Sequence, residues 1–102
     1  MEVQITNENF EKEVLNCKDT VIVDFYGTWC MPCKILAPIV EKVAKDNNIK
    51  LAKVDVDENE SLVRSYKIMS VPTLLIFKNG ELKATSAGVI SENRILELIK
   101  WF

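Results

Sequence analysis

Apolar and polar residues alternate from Val3 to Ile5, which predicts a short opening strand, and Thr6 and Asn7 follow as candidate helix N-caps. Glu8 and Glu11 favour a helix start, and over Glu8–Cys17 the residues Phe10, Val14 and Cys17 fall at i, i+4 and i+7 on one apolar face. Asp19-Thr20 closes that helix. Val21 to Tyr26 is nearly continuous apolar sequence, the pattern of a central strand covered by helices on both faces, and Asp24 interrupts it. From Cys33 onward Leu36, Ile39, Val40, Val43 and Ala44 mark a long amphipathic helix ending near Asn47-Asn48. Pro38 lacks the backbone donor and crowds the preceding turn, so a kink is expected there.

Leu51 to Val56 predicts another strand, and Asn59 is placed to cap a short helix from Glu60 to Tyr66. Val71-Pro72-Thr73 leads into a strand over Leu74–Phe77. Lys78-Asn79-Gly80-Glu81 is a hairpin turn signal, so the strands flanking it should be antiparallel neighbours. Gly88 breaks the pattern, Ser91 caps a last helix, and Ile95, Leu98, Ile99 and Phe102 supply its buried face. The resulting order is βαβαβαββα, an α/β domain with a central mixed sheet.

Composition narrows the possible functions. The 102 residues are 48% hydrophobic and 27% charged, which predicts one folded domain over residues 1–102 rather than a disordered chain. A net charge of -2 without a basic stripe excludes a general nucleic-acid surface. No apolar run approaches the roughly 18 residues of a membrane span. Met1 to Ile5 lacks the features of a secretory leader, so the expected location is the cytoplasm. In that reducing compartment cysteines serve chemistry more often than structural cross-linking, and an odd count of three agrees.

Two of the three, Cys30 and Cys33, stand two residues apart where the apolar strand turns into the long helix. Unpaired amides and aligned peptide dipoles at a helix N-terminus stabilise a thiolate relative to a thiol, and Cys30, just outside the first turn, is the better placed. Pro32 fits an early helical position because its missing amide would have been unpaired there. The spacing suits exchange chemistry: Cys30 attacks a substrate disulfide, and Cys33, one turn on, resolves the mixed disulfide. Lys34 adds positive charge, while Trp29 and Met31 offer an apolar docking rim. Asp24, buried in its apolar run, requires a raised pKa or a partner, and it could relay a proton to or from Cys33.

Competing chemistries lack parts. A structural zinc site needs four ligands, and this chain has no histidine and only Cys17 besides the pair. Cys17 itself sits on an apolar helix face as a small hydrophobe. Asp55, Asp57 and Asn59 imitate the start of a calcium loop, but Glu60 stands where glycine is required and Tyr66 occupies the twelfth position.

Taken in order, Val23-Asp24-Phe25, Trp29-Cys30-Met31-Pro32-Cys33-Lys34, Lys53-Val54-Asp55-Val56-Asp57, Val71-Pro72-Thr73, Phe77-Lys78-Asn79-Gly80 and Gly88 closely resemble the thioredoxin family. The resemblance covers essentially the whole chain and implies the thioredoxin fold, a three-layer α/β/α sandwich. It implies that Cys30 is the attacking and Cys33 the resolving cysteine, and that Asp24 is the buried acid with Lys53 as its charged partner. It further implies a cis-proline at Pro72 lying against the dithiol, with the Val71 backbone pairing with an extended substrate segment. Gly88 would complete a flat docking surface shared with Trp29, Met31 and Pro32. The partners implied are disulfide-containing proteins and a thioredoxin reductase, with the protein a monomer needing neither cofactor nor metal. Trp29-Cys30 and the Asp24 and Lys53 pair favour this family over a glutathione-linked glutaredoxin-like enzyme. The alternative from another class is a binding module whose thiols are incidental. Two positions depart from the family pattern: Met31 replaces a usual glycine, and Tyr26 a usual tryptophan.

Overall fold

The computed structural model describes residues 1–100; Trp101 and Phe102, the latter expected on the buried face of the last helix, lie outside the described residues. Among the described residues the elements are β1 (Glu2–Gln4), a π-helical turn (Glu11–Leu15), β2 (Thr20–Tyr26), α1 (Met31–Asp46), β3 (Lys50–Asp55), α2 (Glu60–Ser65), β4 (Thr73–Lys78), β5 (Glu81–Ala87) and α3 (Glu92–Lys100). The strands form one sheet in the order β1-β3-β2-β4-β5. β1 and β2 both run parallel to β3, whereas β4 is antiparallel to β2 and to β5. The sheet is therefore mixed, as the sequence predicted.

Period-two alternation along the central strand divides the core into two layers. Ile22 points to the side covered by α1 and α3, where it joins Leu36, Val40, Leu74 and Ile95. Val21, Val23 and Phe25 point to the other side, against Phe10, Val14, Val54 and Phe77. Asp24 shares the parity of Ile22 and so faces the α1 layer. Across the parallel ladder Asp24 pairs with Lys53, which in turn pairs with Gln4.

The first helical segment departs from the expected regular helix over Glu8–Cys17. It is shorter and wider, closed by a bond from the Asn16 amide to the Glu11 carbonyl at 2.8 Å. Thr6 makes its capping bonds in the turn before the segment, its hydroxyl accepting from the Asn9 amide at 3.3 Å and its own amide donating to Asn9 Oδ1 at 2.7 Å, while the residue that begins the segment, Phe10, has no side-chain cap. At the far end Lys50 Nζ donates to the Glu13 carbonyl and to its carboxylate, both at 3.0 Å. The Cys17 amide donates to the Val14 carbonyl at 3.3 Å, the tighter bond of a helix end.

Asn59 also departs from expectation. Its side chain donates to the Asp55 carbonyl at 2.9 Å instead of capping α2. Ser91 behaves as predicted, its hydroxyl accepting from the Arg94 amide at 3.1 Å. α1 continues without interruption through Pro38. At the hairpin, Asn79 and Gly80 both take positive φ, 53° and 77°, the tight turn that matches the twist of β4 and β5.

Gly80 is required twice over, since a Cβ there would run into the Leu15 carbonyl oxygen as well as straining the turn. Gly80→Ala is expected to cost about 2 kcal/mol. In urea unfolding the midpoint should fall while the slope stays unchanged.

Candidate active site

The short loop after β2 delivers Cys30 to the N-cap of α1, where its backbone is extended at φ -94° and ψ 112°. Cys33 follows one turn later, and the two are joined as a disulfide with their Cα atoms 5.3 Å apart. The Cys33 amide donates to Cys30 Sγ at 3.2 Å. One of the unpaired amides of the first turn is thus aimed at this sulfur, where an anionic sulfur would accept the same bond more strongly. Pro32 lies in the first turn of α1, where no amide is missed. Both cysteines are nearly covered, at 4% and 5% exposure.

Around this buried pair the surface is open and apolar. Trp29, Met31 and Met69 are 66%, 65% and 93% exposed. Trp29 Nε1 donates to Asp57 Oδ2 at 2.8 Å, which pins the indole. Gly27 lets the ring fold back, because a Cβ there would stand 2.7 Å from an indole carbon. Beside Trp29 a groove of about 210 Å3 is lined by Val56, Val63, Ile68, Met69 and Val71. The Val71 carbonyl oxygen is 3.8 Å from Cys30 Sγ, and the Val71–Pro72 peptide bond is cis. The Gly88 amide donates to the Pro72 carbonyl at 2.8 Å, bringing Gly88 to the same edge at a φ of 91°. Sequence reasoning gave Gly27 and Met69 no role and read Asp57 only within a failed calcium loop and as the end of the Lys53–Asp57 family segment. Asp57 acts through Trp29, 28 residues away, which leaves no local signal, whereas Gly27 acts on a ring only two residues along, in a turn whose geometry the sequence does not display.

Beneath the pair, Asp24 is buried, and Lys53 Nζ stands 3.5 Å from its Oδ2. The other carboxylate oxygen, Oδ1, is buried with no hydrogen-bond partner among the described residues. Burial pushes the Asp24 pKa above its usual 3.8; Lys53 pulls it back, while Glu41 and Glu2 add smaller upward pushes. A cleft of about 310 Å3 runs along Tyr26, Thr28, Cys33, Lys34, Ala37 and Lys53. Lys53 therefore joins Asp24 to the cleft that Cys33 lines.

The thioredoxin family model matches residues 1–101. A thioredoxin of Buchnera aphidicola subsp. Acyrthosiphon pisum is 42% identical over 99 residues, covering 95% of this chain and 92% of the relative. One of Rickettsia bellii is 42% identical over 101 residues, 97% of this chain and 96% of the relative. One of Pseudomonas aeruginosa is 37% identical over 95 residues, 91% and 88%. The chain belongs to the thioredoxin family. Like other thioredoxins it is an oxidoreductase that works by dithiol–disulfide exchange, here through Cys30 and Cys33.

The raised pKa of Asp24 has a consequence for stability that is testable without any substrate. The folded protein holds this proton more tightly than the unfolded chain does. The stability that comes from keeping Asp24 neutral is present below the ordinary carboxylate pKa and is lost as pH rises through the raised value. Asp24→Asn, which cannot ionise, should therefore melt about 5 °C above the wild type at neutral pH, as expected for removing a buried, half-partnered carboxylate from a domain this size. Thermal unfolding repeated at descending pH should show the gap closing below the usual 3.8. A gap that widens on acidification would reverse the assigned direction.

Proposed function

We propose that this protein reduces disulfides in other proteins, with Cys30 as the attacking sulfur and Cys33 as the resolving one. The observation that carries the proposal is the position of Cys30 Sγ. It caps α1, accepts the Cys33 amide and lies 3.8 Å from the Val71 carbonyl, at the centre of an exposed apolar rim. In the reduced protein the Cys30 thiolate attacks one sulfur of a substrate disulfide. The substrate S–S bond breaks, its other sulfur leaves as a thiolate that takes up a proton, and Cys30 is left bonded to the substrate. Cys33 then gives up its proton and attacks Cys30 Sγ. The Cys30–Cys33 bond forms and the second substrate thiolate leaves. Two electrons have passed from the pair to the substrate.

Asp24, acting through Lys53, serves as the acceptor and donor of the Cys33 proton; its burial supports this, since a carboxylate whose pKa is raised holds a proton taken from Cys33 better than an ordinary, solvated one would. An extended substrate segment pairs with the backbone at Val71 beside Pro72 and rests on Trp29, Met31, Pro32 and Gly88. A thioredoxin reductase supplies the electrons that restore the dithiol, and no bound cofactor is needed because the sulfur pair is the redox group. The protein acts as a monomeric single domain in the cytoplasm, with neither nucleic acid nor membrane as a partner.

Insulin reduction followed by turbidity tests the division of roles. Cys30→Ser is expected to abolish activity, whereas Cys33→Ser should accumulate mixed disulfides with substrate, visible as reductant-sensitive adducts by mass spectrometry. Undiminished reduction by Cys30→Ser would overturn the proposal.

A further inference from the structure

The Lys53 ammonium has a second neighbour. Its Nζ lies 4.7 Å from the centroid of the Tyr26 ring, on the same side of the sheet as Asp24. The ion pair with Asp24, at 3.5 Å, is longer than a tight charge-assisted contact and does not by itself fix the lysine. The ring is fixed: Gln4 Nε2 donates to the Tyr26 hydroxyl at 2.9 Å. Gln4 is on β1 and Tyr26 on β2, with β3 between them, and Gln4 is the residue paired with Lys53. The Gln4–Tyr26 bond thus spans the strand that carries Lys53. Tyr26 also lines the cleft that Cys33 and Lys53 share.

We infer that Tyr26 is a positioning residue for Lys53: its anchored ring holds the ammonium over Asp24 at the cleft and thereby sets the pH at which Cys33 attacks. The inference rests on the proposed role of Cys33 as the resolving sulfur. The face of an aromatic ring carries negative potential and attracts a cation, so the ring favours the lysine position in which its charge faces both Asp24 and the cleft. A positive charge there favours the ionised forms of Asp24 and of Cys33. The other charged groups acting on Asp24 are Glu41 on α1 and Glu2 on β1, both of which oppose its ionisation, and Lys34 lines the cleft from α1. A weaker ring leaves those opposing charges unchanged. The resolving step should then require a higher pH.

Dithiobis(nitrobenzoate) reads this step in a single turnover, in a Cys17→Ala background so that only the pair reacts. Cys30 attacks the reagent, releasing one thionitrobenzoate and retaining the other. Cys33 then loses its proton and attacks Cys30 Sγ, the bond to the reagent breaks, and the second thionitrobenzoate leaves with the electron pair. The rate of that second release against pH gives a midpoint for each variant. Tyr26→Phe removes the titrating phenol together with the bond from Gln4, so its midpoint, which should match that of Gln4→Leu, reports the anchor, and it then serves as the reference for the ring series. Phenylalanines carrying one to three ring fluorines at position 26 keep the shape and drain the negative face. The midpoint should climb with each fluorine, by about half a pH unit across the series. Tyr26→Leu should shift it at least as far. In a Lys53→Met background fluorination should leave the midpoint unmoved. A flat fluorine series, or an equal climb without Lys53, would overturn the role of Tyr26 alone. Loss of the second release in the otherwise unaltered Cys17→Ala protein would instead overturn Cys33 as the resolving sulfur.

Discussion

The parallel ladder between Thr20–Tyr26 and Lys50–Asp55 sets where the groups of the site stand. Side chains alternate faces along a strand, so a slip of one residue in β2 would carry Asp24 out of the α1 layer and turn Val23 and Phe25 into it. The ladder is held in register by burial on both faces, since Val21, Ile22, Val23 and Phe25 are all fully covered. Such packing resists the slip strongly. Within this frame the cost of burying Asp24 is tolerable, because the same register brings Lys53 to its side and Gln4 to the next position across. The end of β2 then releases the chain directly into the loop that places Cys30 on α1. Fold and site are thus one consequence of a single strand pairing.

What was legible in the chain follows from which signals are local. Turn chemistry at Asn79-Gly80, the apolar face of α1 and the two-residue spacing of the thiols are all set by neighbours, and the structure carries each of them. Asp24 stood out because a carboxylate violates the pattern of its own strand. Its partner did not. Lys53 alone resembles any solvated lysine, and only likeness to a family of ordered motifs tied it to the acid. The first helix shows the same limit: Phe10 and Val14 are buried as their spacing predicted, but the backbone closes a wider turn from Asn16 to Glu11, and Lys50, 37 residues away, binds the Glu13 carbonyl within it. Asn59 has good capping chemistry, yet the Asp55 carbonyl is the partner its side chain meets.

Charge at the site is balanced between burial and neighbours on three elements. Desolvation opposes ionisation of Asp24, Glu2 and Glu41 add to it, and Lys53 works against all three. A tight ion pair would hold the carboxylate permanently charged, and full isolation would hold it permanently neutral. A lysine at 3.5 Å, shared with an aromatic ring, lies between these limits. A residue in that intermediate condition can change protonation during a reaction without a large rearrangement. The unpartnered Oδ1 adds to the upward push on the Asp24 pKa, since hydrogen bonds to it would favour the ionised form.

Burial of the sulfurs decides how a substrate must approach. Cys30 and Cys33 are almost covered while Trp29, Met31 and Met69 are exposed, so in the proposed mode a substrate disulfide covers this rim as it reaches Cys30. Apolar contact comes before chemistry and removes water from the sulfur that will react. Electrostatic help from the Cys33 amide gains strength in that drier setting. Met31 enters here with more weight than its place in the motif suggests. A flexible, polarisable side chain replaces the usual glycine directly beside the sulfur. This leaves a 65% exposed apolar side chain next to Cys30, on the rim proposed to receive substrate. On the proposed docking mode, Met31 acts on substrate choice from the first turn of α1, as a residue with no part in electron transfer.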